Sequence, residues 1–199
     1  MIFIENIFSI EKMKSHVYVI NTGKNIVQID SGIEQDAKKI INFYDSKKYE
    51  PDYILITAVD YLHVGALKEI YEKYKPKIYV SKYEMDTLKN GLQLRGIEEM
   101  EGKGLEFATV KAFNSYARLD LDGFEKIDTP GYTDGNVSIY YHDKNALFTG
   151  DAAYVKKGKL YFDPMFVKSE KLAEESLSKI EKMRPVYIFP SHGDPAELK

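Results

Sequence analysis

Thr57-Ala58-Val59-Asp60-Tyr61-Leu62-His63-Val64-Gly65 is the stretch whose reading decides the fold. It continues from Asp52-Tyr53-Ile54-Leu55-Ile56-Thr57, a short and continuously apolar run of the kind found in strands buried on both faces. Leu67 to Tyr74 then reads as a helix that stops near Pro76, and Lys77-Ile78-Tyr79-Val80 is another strand. A strand–helix–strand unit therefore carries the stretch at the C-terminal end of its first strand, the edge at which sites in open α/β sheets sit.

The same alternation extends in both directions. Before the stretch, Phe3 to Ile10, His16 to Asn21 and Ile26 to Asp30 read as strands, separated by the Gly-bearing turn Thr22-Gly23-Lys24-Asn25 and followed by Ser31-Gly32. Ile33, Ala37, Ile40, Ile41 and Tyr44 have helical spacing. After it, Ser81 to Glu101 is predicted as an interrupted helix, and Leu105 to Phe113, Ala117 to Leu121 and Phe124 to Ile127 as strands. Val137 to Tyr141 and Ala146 to Thr149 flank the turn at His142-Asp143-Lys144-Asn145. Ser169 is the predicted N-cap of a helix reaching Met183, and Val186 to Phe189 is a last buried strand. The expectation is an α/β protein, a four-layer αββα sandwich of two mixed sheets flanked by helices, formed as a single domain over 1–199.

Bulk properties narrow the function classes. The chain has 199 residues, 44% hydrophobic and 30% charged, which suits a globular protein with a substantial core. Its formal charge is only -3 and no Lys/Arg run exceeds two residues, so a nucleic-acid partner is not expected. With no cysteine, disulfides, thiolate metal sites and Cys nucleophiles are excluded. The N-terminus reads as a strand rather than a signal peptide, and no apolar run reaches bilayer length; no membrane partner is expected and the cytoplasm is the predicted location.

Four further segments carry polar residues at ends of predicted strands: Ile26 to Gly32 (IVQIDSG), Thr129 to Gly135 (TPGYTDG), Phe148-Thr149-Gly150-Asp151, and Pro190-Ser191-His192-Gly193. In this order and spacing, together with Thr57–Gly65, they resemble the metallo-β-lactamase superfamily, with its glyoxalase II-like hydrolase fold, over nearly the whole chain. Thr57–Gly65 has the frame of that family's metal loop, T-H-x-H-x-D-H-x-G, with Ala58 and Asp60 in His positions and Leu62 in the Asp position. Tyr132 takes the His position of the family's P-G-H-T-x-G segment.

The resemblance implies a three-His first metal site at Ala58, Asp60 and Tyr132, a set this chain does not retain. It implies a second site at Leu62, His63, Asp151 and His192, of which His63, Asp151 and His192 are metal-ligating types. Two imidazoles and one carboxylate suit zinc, with iron or manganese as alternatives. A metal there lowers the pKa of a bound water toward about 7. Asp60 is then the candidate general base or a fourth ligand, and Tyr132 a candidate donor to a developing oxyanion. His16 and His142 have no partners at ligand spacing and are read as structural or exposed.

Three functional readings stay open at this point. The first is a metal-dependent hydrolase acting through one divalent metal on a small ester, thioester or lactone. The second is a fold relative without metal or catalysis that binds a small molecule or a protein partner, suggested by Ala58, Leu62 and Tyr132. The third is a mononuclear iron oxygenase, since two His and a carboxylate is an Fe(II) set. A homo-oligomer is compatible with all three.

Overall fold

The computed structural model describes residues 4–89 and 113–198. They fall into two compact units, one within Ile4–Leu119 and one from Asp120 onward. The later part of the predicted helix Ser81–Glu101 and most of the predicted strand Leu105–Phe113 lie outside the described residues.

The first unit is built on a six-stranded mixed sheet with strands in sequence order: β1 (Ile7–Ser9), β2 (Tyr18–Asn21), β3 (Ile26–Ile29), β4 (Tyr53–Leu55), β5 (Lys77–Val80) and β6 (Phe113–Ser115). The β1–β2 and β2–β3 pairs are antiparallel, and β3 to β6 are parallel. Parallel neighbours need crossovers, and helices supply them. α1 (Ala37–Lys47) joins β3 to β4, and α2 (Tyr61–Val64) with α3 (Leu67–Tyr74) joins β4 to β5; α4 (Lys82–Lys89) follows β5. The apolar stripes of α1 and α3, through Ile40, Tyr44, Leu67 and Ile70, pack with Val19, Ile54, Ile78 and Val80 of the sheet in one core cluster. Both Ile54 and Leu55 are fully buried, as the continuous apolar run required.

The second unit holds a five-stranded mixed sheet, in the order β13-β12-β9-β8-β7. Its strands are β7 (Phe124–Asp128), β8 (Val137–Tyr141), β9 (Ala146–Gly150), β12 (Tyr187–Pro190) and β13 (Ala196–Glu197). Among the described residues of this sheet only β9 and β12 are parallel, and the helix α5 (Glu170–Met183) lies in the chain between them. Ile180 and Leu177 of α5 pack with Leu147 and Ile188 of those two strands. Ser169 caps α5, its Oγ accepting from Leu172 N. A two-stranded ribbon, β10 (Tyr154–Lys156) and β11 (Lys159–Tyr161), follows β9.

The α/β class with two mixed sheets and accompanying helices is thus the architecture of this chain. One predicted strand takes another form. Ala117–Leu121 has strand-like composition, but Tyr116–Arg118 forms a 3-10 turn. Ser115 Oγ caps that turn by accepting from Ala117 N, and the Tyr116 hydroxyl donates to Ile56 O at 2.9 Å, so local capping and a tertiary anchor outweigh strand propensity.

Candidate functional site

In the first unit the parallel strands β3, β4 and β5 deliver three segments to the C-terminal edge of the sheet: Asp30-Ser31, the Thr57–Gly65 loop and Ser81–Glu84. Three buried carboxylates meet the loop there. Asp30 accepts from Thr57 N at 2.8 Å and from Thr57 Oγ1 at 2.7 Å. Glu84 Oε2 accepts from Val59 N at 2.8 Å. Asp60 is the N-cap of α2; its Oδ1 accepts from Leu62 N at 2.8 Å and His63 N at 3.1 Å. The loop's carbonyls are also held. Ser15 Oγ donates to Leu62 O, and Ser31 donates through N and Oγ to His63 O.

Asp60 and His63, three residues apart, face each other across the first turn of α2, with His63 Nδ1 2.6 Å from Asp60 Oδ1. Both are buried, His63 completely. A carboxylate oxygen that already accepts two N–H groups accepts again here, so the imidazole proton sits on Nδ1 and, in the neutral ring, Nε2 carries the lone pair. This is the arrangement in which a carboxylate fixes the tautomer and orientation of a metal-ligating His. Ala58 is fully buried, and its methyl group offers no ligand.

Burial raises the Asp30 carboxyl from 3.8 to about 6; the His63 charge and the Thr57 hydrogen bonds oppose that rise, and the Asp60 charge adds to it. The folded state therefore binds this proton more tightly than the unfolded chain does. The stabilisation is complete below about pH 4 and is lost as pH rises through 6, a difference of roughly 3 kcal/mol. Asn at position 30 keeps an acceptor for Thr57 N, tolerates the left-handed backbone there (φ 57), and does not titrate. The stability of the metal-free Asp30→Asn protein relative to wild type is expected to climb between pH 4 and pH 7. Urea unfolding at both pH values checks it, and a constant difference refutes it.

In the second unit the parallel pair β9–β12 sets the geometry. Pro190 of β12 is in register with Gly150 of β9, and Ser191 N donates to Gly150 O at 2.9 Å. Asp151, one residue past Gly150, and His192, two residues past Pro190, therefore leave the ends of adjacent strands. His192 Nε2 lies 3.7 Å from Asp151 Oδ1, a separation that lets both atoms reach one cation at about 2.0–2.2 Å. Ala152 N donates to Thr149 O and Thr149 Oγ1 to Ala153 O, which closes the chain tightly around Asp151. The Asp151 side chain is nearly buried, while that of His192 is half exposed.

Tyr132 is buried in the loop between β7 and β8. That loop is fastened to α5: Lys168 N and Ser169 N donate to Gly131 O, and Ser176 Oγ donates to Pro130 O at 2.7 Å. Gly131 is required there, because its φ is +144 and a Cβ would lie 2.7 Å from the Ala173 backbone.

The candidate residues thus occur as two pairs, Asp60–His63 in one unit and Asp151–His192 in the other, with Tyr132 on a loop anchored to α5. His16 stacks on Tyr18 and meets Ser9, and exposed His142 pairs with exposed Glu125, in keeping with structural or surface roles. Glu84 lies in the predicted helix Ser81–Glu101 but is not among the candidate residues of the sequence. The spacing Ser81-x-x-Glu84 is a capping-box signature that marks this carboxylate as a backbone acceptor.

The sequence profile of the metallo-β-lactamase superfamily matches residues 11–192 of this chain. A probable metallo-hydrolase of Bacillus subtilis, YflN, is 25% identical over 203 residues, spanning 86% of this chain and 76% of the relative. The hydroxyacylglutathione hydrolase of Pelagibacter ubique is 27% identical over 136 residues, which cover 68% of this chain and 49% of that enzyme. Among solved structures, the BLEG-1 B3 metallo-β-lactamase superposes with a TM-score of 0.70 at 20% identity, covering 96% of this chain and 93% of the other. No helix among the described residues is long and apolar enough to cross a membrane.

Proposed function

This chain belongs to the metallo-β-lactamase superfamily, and we propose that within it the chain is a divergent, single-metal hydrolase in which His63, Asp151 and His192 hold one divalent cation, zinc before iron or manganese. The observation that carries the reading is the 2.6 Å bond from buried His63 Nδ1 to Asp60 Oδ1, which turns Nε2 into a fixed donor atom. Asp151 and His192, 3.7 Å apart, supply the other two donors. Two imidazoles and a carboxylate fit zinc with a position left open for solvent or substrate. Bound there, the metal supplies Lewis acidity and a water of pKa near about 7.

The chain's own residues do the rest. Asp60 keeps the His63 ring in one tautomer and takes up the proton released by the attacking water. Tyr132, held by its anchored loop, donates a hydrogen bond to the oxyanion that forms at the substrate carbonyl. The substrate class is a small ester, thioester or lactone; the likeness to a hydroxyacylglutathione hydrolase supports the thioester. The proposed setting is cytoplasmic.

A second reading rests on Ala58, Leu62 and Tyr132, which replace ligands by non-ligands: a relative without catalysis that binds a small molecule. Protein purified without chelator separates the two. The hydrolase reading expects about one metal per chain and thioester or ester turnover that His192→Ala abolishes. Metal far below one per chain, with no turnover after zinc addition, favours the second reading.

A further inference from the structure

We propose that Glu84 is the positioning residue of the candidate site: by holding Val59 N it fixes Asp60, and through Asp60 the tautomer and orientation of His63. The inference rests on the metal reading of His63 but is carried by contacts that involve no metal.

The Thr57–Gly65 loop lacks the family ligands at positions 58, 60 and 62, so metal bonds at those positions do not fix its backbone. Side chains do so instead. The N–H groups of Thr57, Val59, Leu62 and His63 all end on carboxylates, of Asp30, Glu84, Asp60 and Asp60 respectively. Asp30 fixes the entry to the loop from β4, and Asp60 closes the first turn of α2. Only Glu84 among the three carboxylates reaches the middle, where the chain passes from buried Ala58 to the extended cap residue Asp60 (φ -147, ψ 180).

Glu84 is suited to the task. It is 1% exposed, and it stands at the third residue of α4, whose start is set by Ser81 Oγ accepting from Glu84 N at 3.2 Å. In a capping box such a Glu returns to its own helix cap. Here Oε2 goes to Val59, which is itself 1% exposed. Without that acceptor a buried N–H loses its hydrogen bond, and the cheapest repair is to move the backbone between Ala58 and Asp60. Asp60 Oδ1 serves three donors, two of them backbone N–H groups, so a shift of its Cα breaks their common geometry. The bond to the His63 ring is one of the three, so a displaced Asp60 also releases the ring from its fixed orientation.

The test uses the full-length, metal-free protein and two variants. Glu84→Gln keeps a carbonyl acceptor; Glu84→Met keeps approximate length and removes it. Nitrogen-15 spectra of the imidazoles report the His63 tautomer and the exchange of its Nδ1 proton. Wild type and Glu84→Gln are expected to show one Nδ1–H tautomer with a protected proton. In Glu84→Met that proton is expected to exchange at least about 10-fold faster, with both tautomers present. A folded Glu84→Met that keeps the wild-type signature overturns the proposal, because a purely structural Glu84 would lower stability without changing the ring. If Glu84→Met does not fold, amide exchange in wild type decides: Val59 N–H protected as well as the amides of β4 supports the clamp, and fast exchange there overturns it. Zinc titration of the same samples expects about 10-fold weaker binding in Glu84→Met. Wild type that binds no zinc refutes the metal reading while leaving the ring and amide results to judge Glu84.

Discussion

His63→Ala is expected to weaken metal binding by more than about 100-fold, since one of only three proposed protein ligands disappears and with it a buried ring whose tautomer is fixed by a carboxylate. Stability is expected to fall as well, by about 2–4 kcal/mol, because the variant leaves a void at a fully buried position and removes the ring donor from Asp60 Oδ1. Asp60→Asn is the informative companion. It retains one acceptor oxygen for the cap but loses the charge that holds the imidazole proton, so metal affinity is expected to drop about 10-fold with a smaller loss of stability. Competition titrations with a zinc indicator and urea unfolding measure the two effects. Equal zinc affinity in wild type and His63→Ala contradicts the assignment.

Gly65→Ala is expected to be the most destabilising single-methyl change in the loop. Gly65 has ordinary helical dihedrals, φ -58 and ψ -42, so its need for glycine does not come from backbone freedom. It comes from packing: a Cβ would lie 2.6 Å from Glu34 N and 2.7 Å from Ile33 Cα. Both contacts are with backbone, which cannot swing aside as a side-chain tip can. Moving the Ile33–Glu34 segment disturbs the start of α1 and the adjacent Ser31 contacts to His63 O. The cost is expected to be about 3 kcal/mol or more, near the upper end for overpacking a well-filled core. A thermal midpoint lower by roughly 10 °C corresponds to that figure. A shift within about 2 °C would show that the two segments separate more easily than the packing implies.

What the sequence made legible follows from how much of each signal is local. α3 and β5 were read with the boundaries they have, because Leu67–Tyr74 and Lys77–Val80 carry clean patterns stopped by Pro76. The pairing of Asp151 with His192 was legible only through family resemblance, since the contact depends on the parallel register of β9 with β12. Asp60 shows the limit most clearly. Its place in a metal-loop frame suggested a ligand or base, but left unnoticed that it also caps a helix three residues before a His, a local arrangement visible in Asp60-x-x-His63. The β10–β11 ribbon escaped notice because three-residue strands are too short to show alternation, and the like-charged cross-strand pair Lys156–Lys159 argues against pairing on local grounds. Glu84 was hidden because its partner lies 25 residues away.

The most direct measurement is anomalous diffraction at the zinc edge from crystals of wild-type protein grown with one equivalent of zinc. A single peak per chain is expected with His63 Nε2, Asp151 and His192 each about 2.0–2.2 Å away, and no such peak in His63→Ala crystals. Absence of a peak in wild type, or a peak held by other residues, contradicts the assignment.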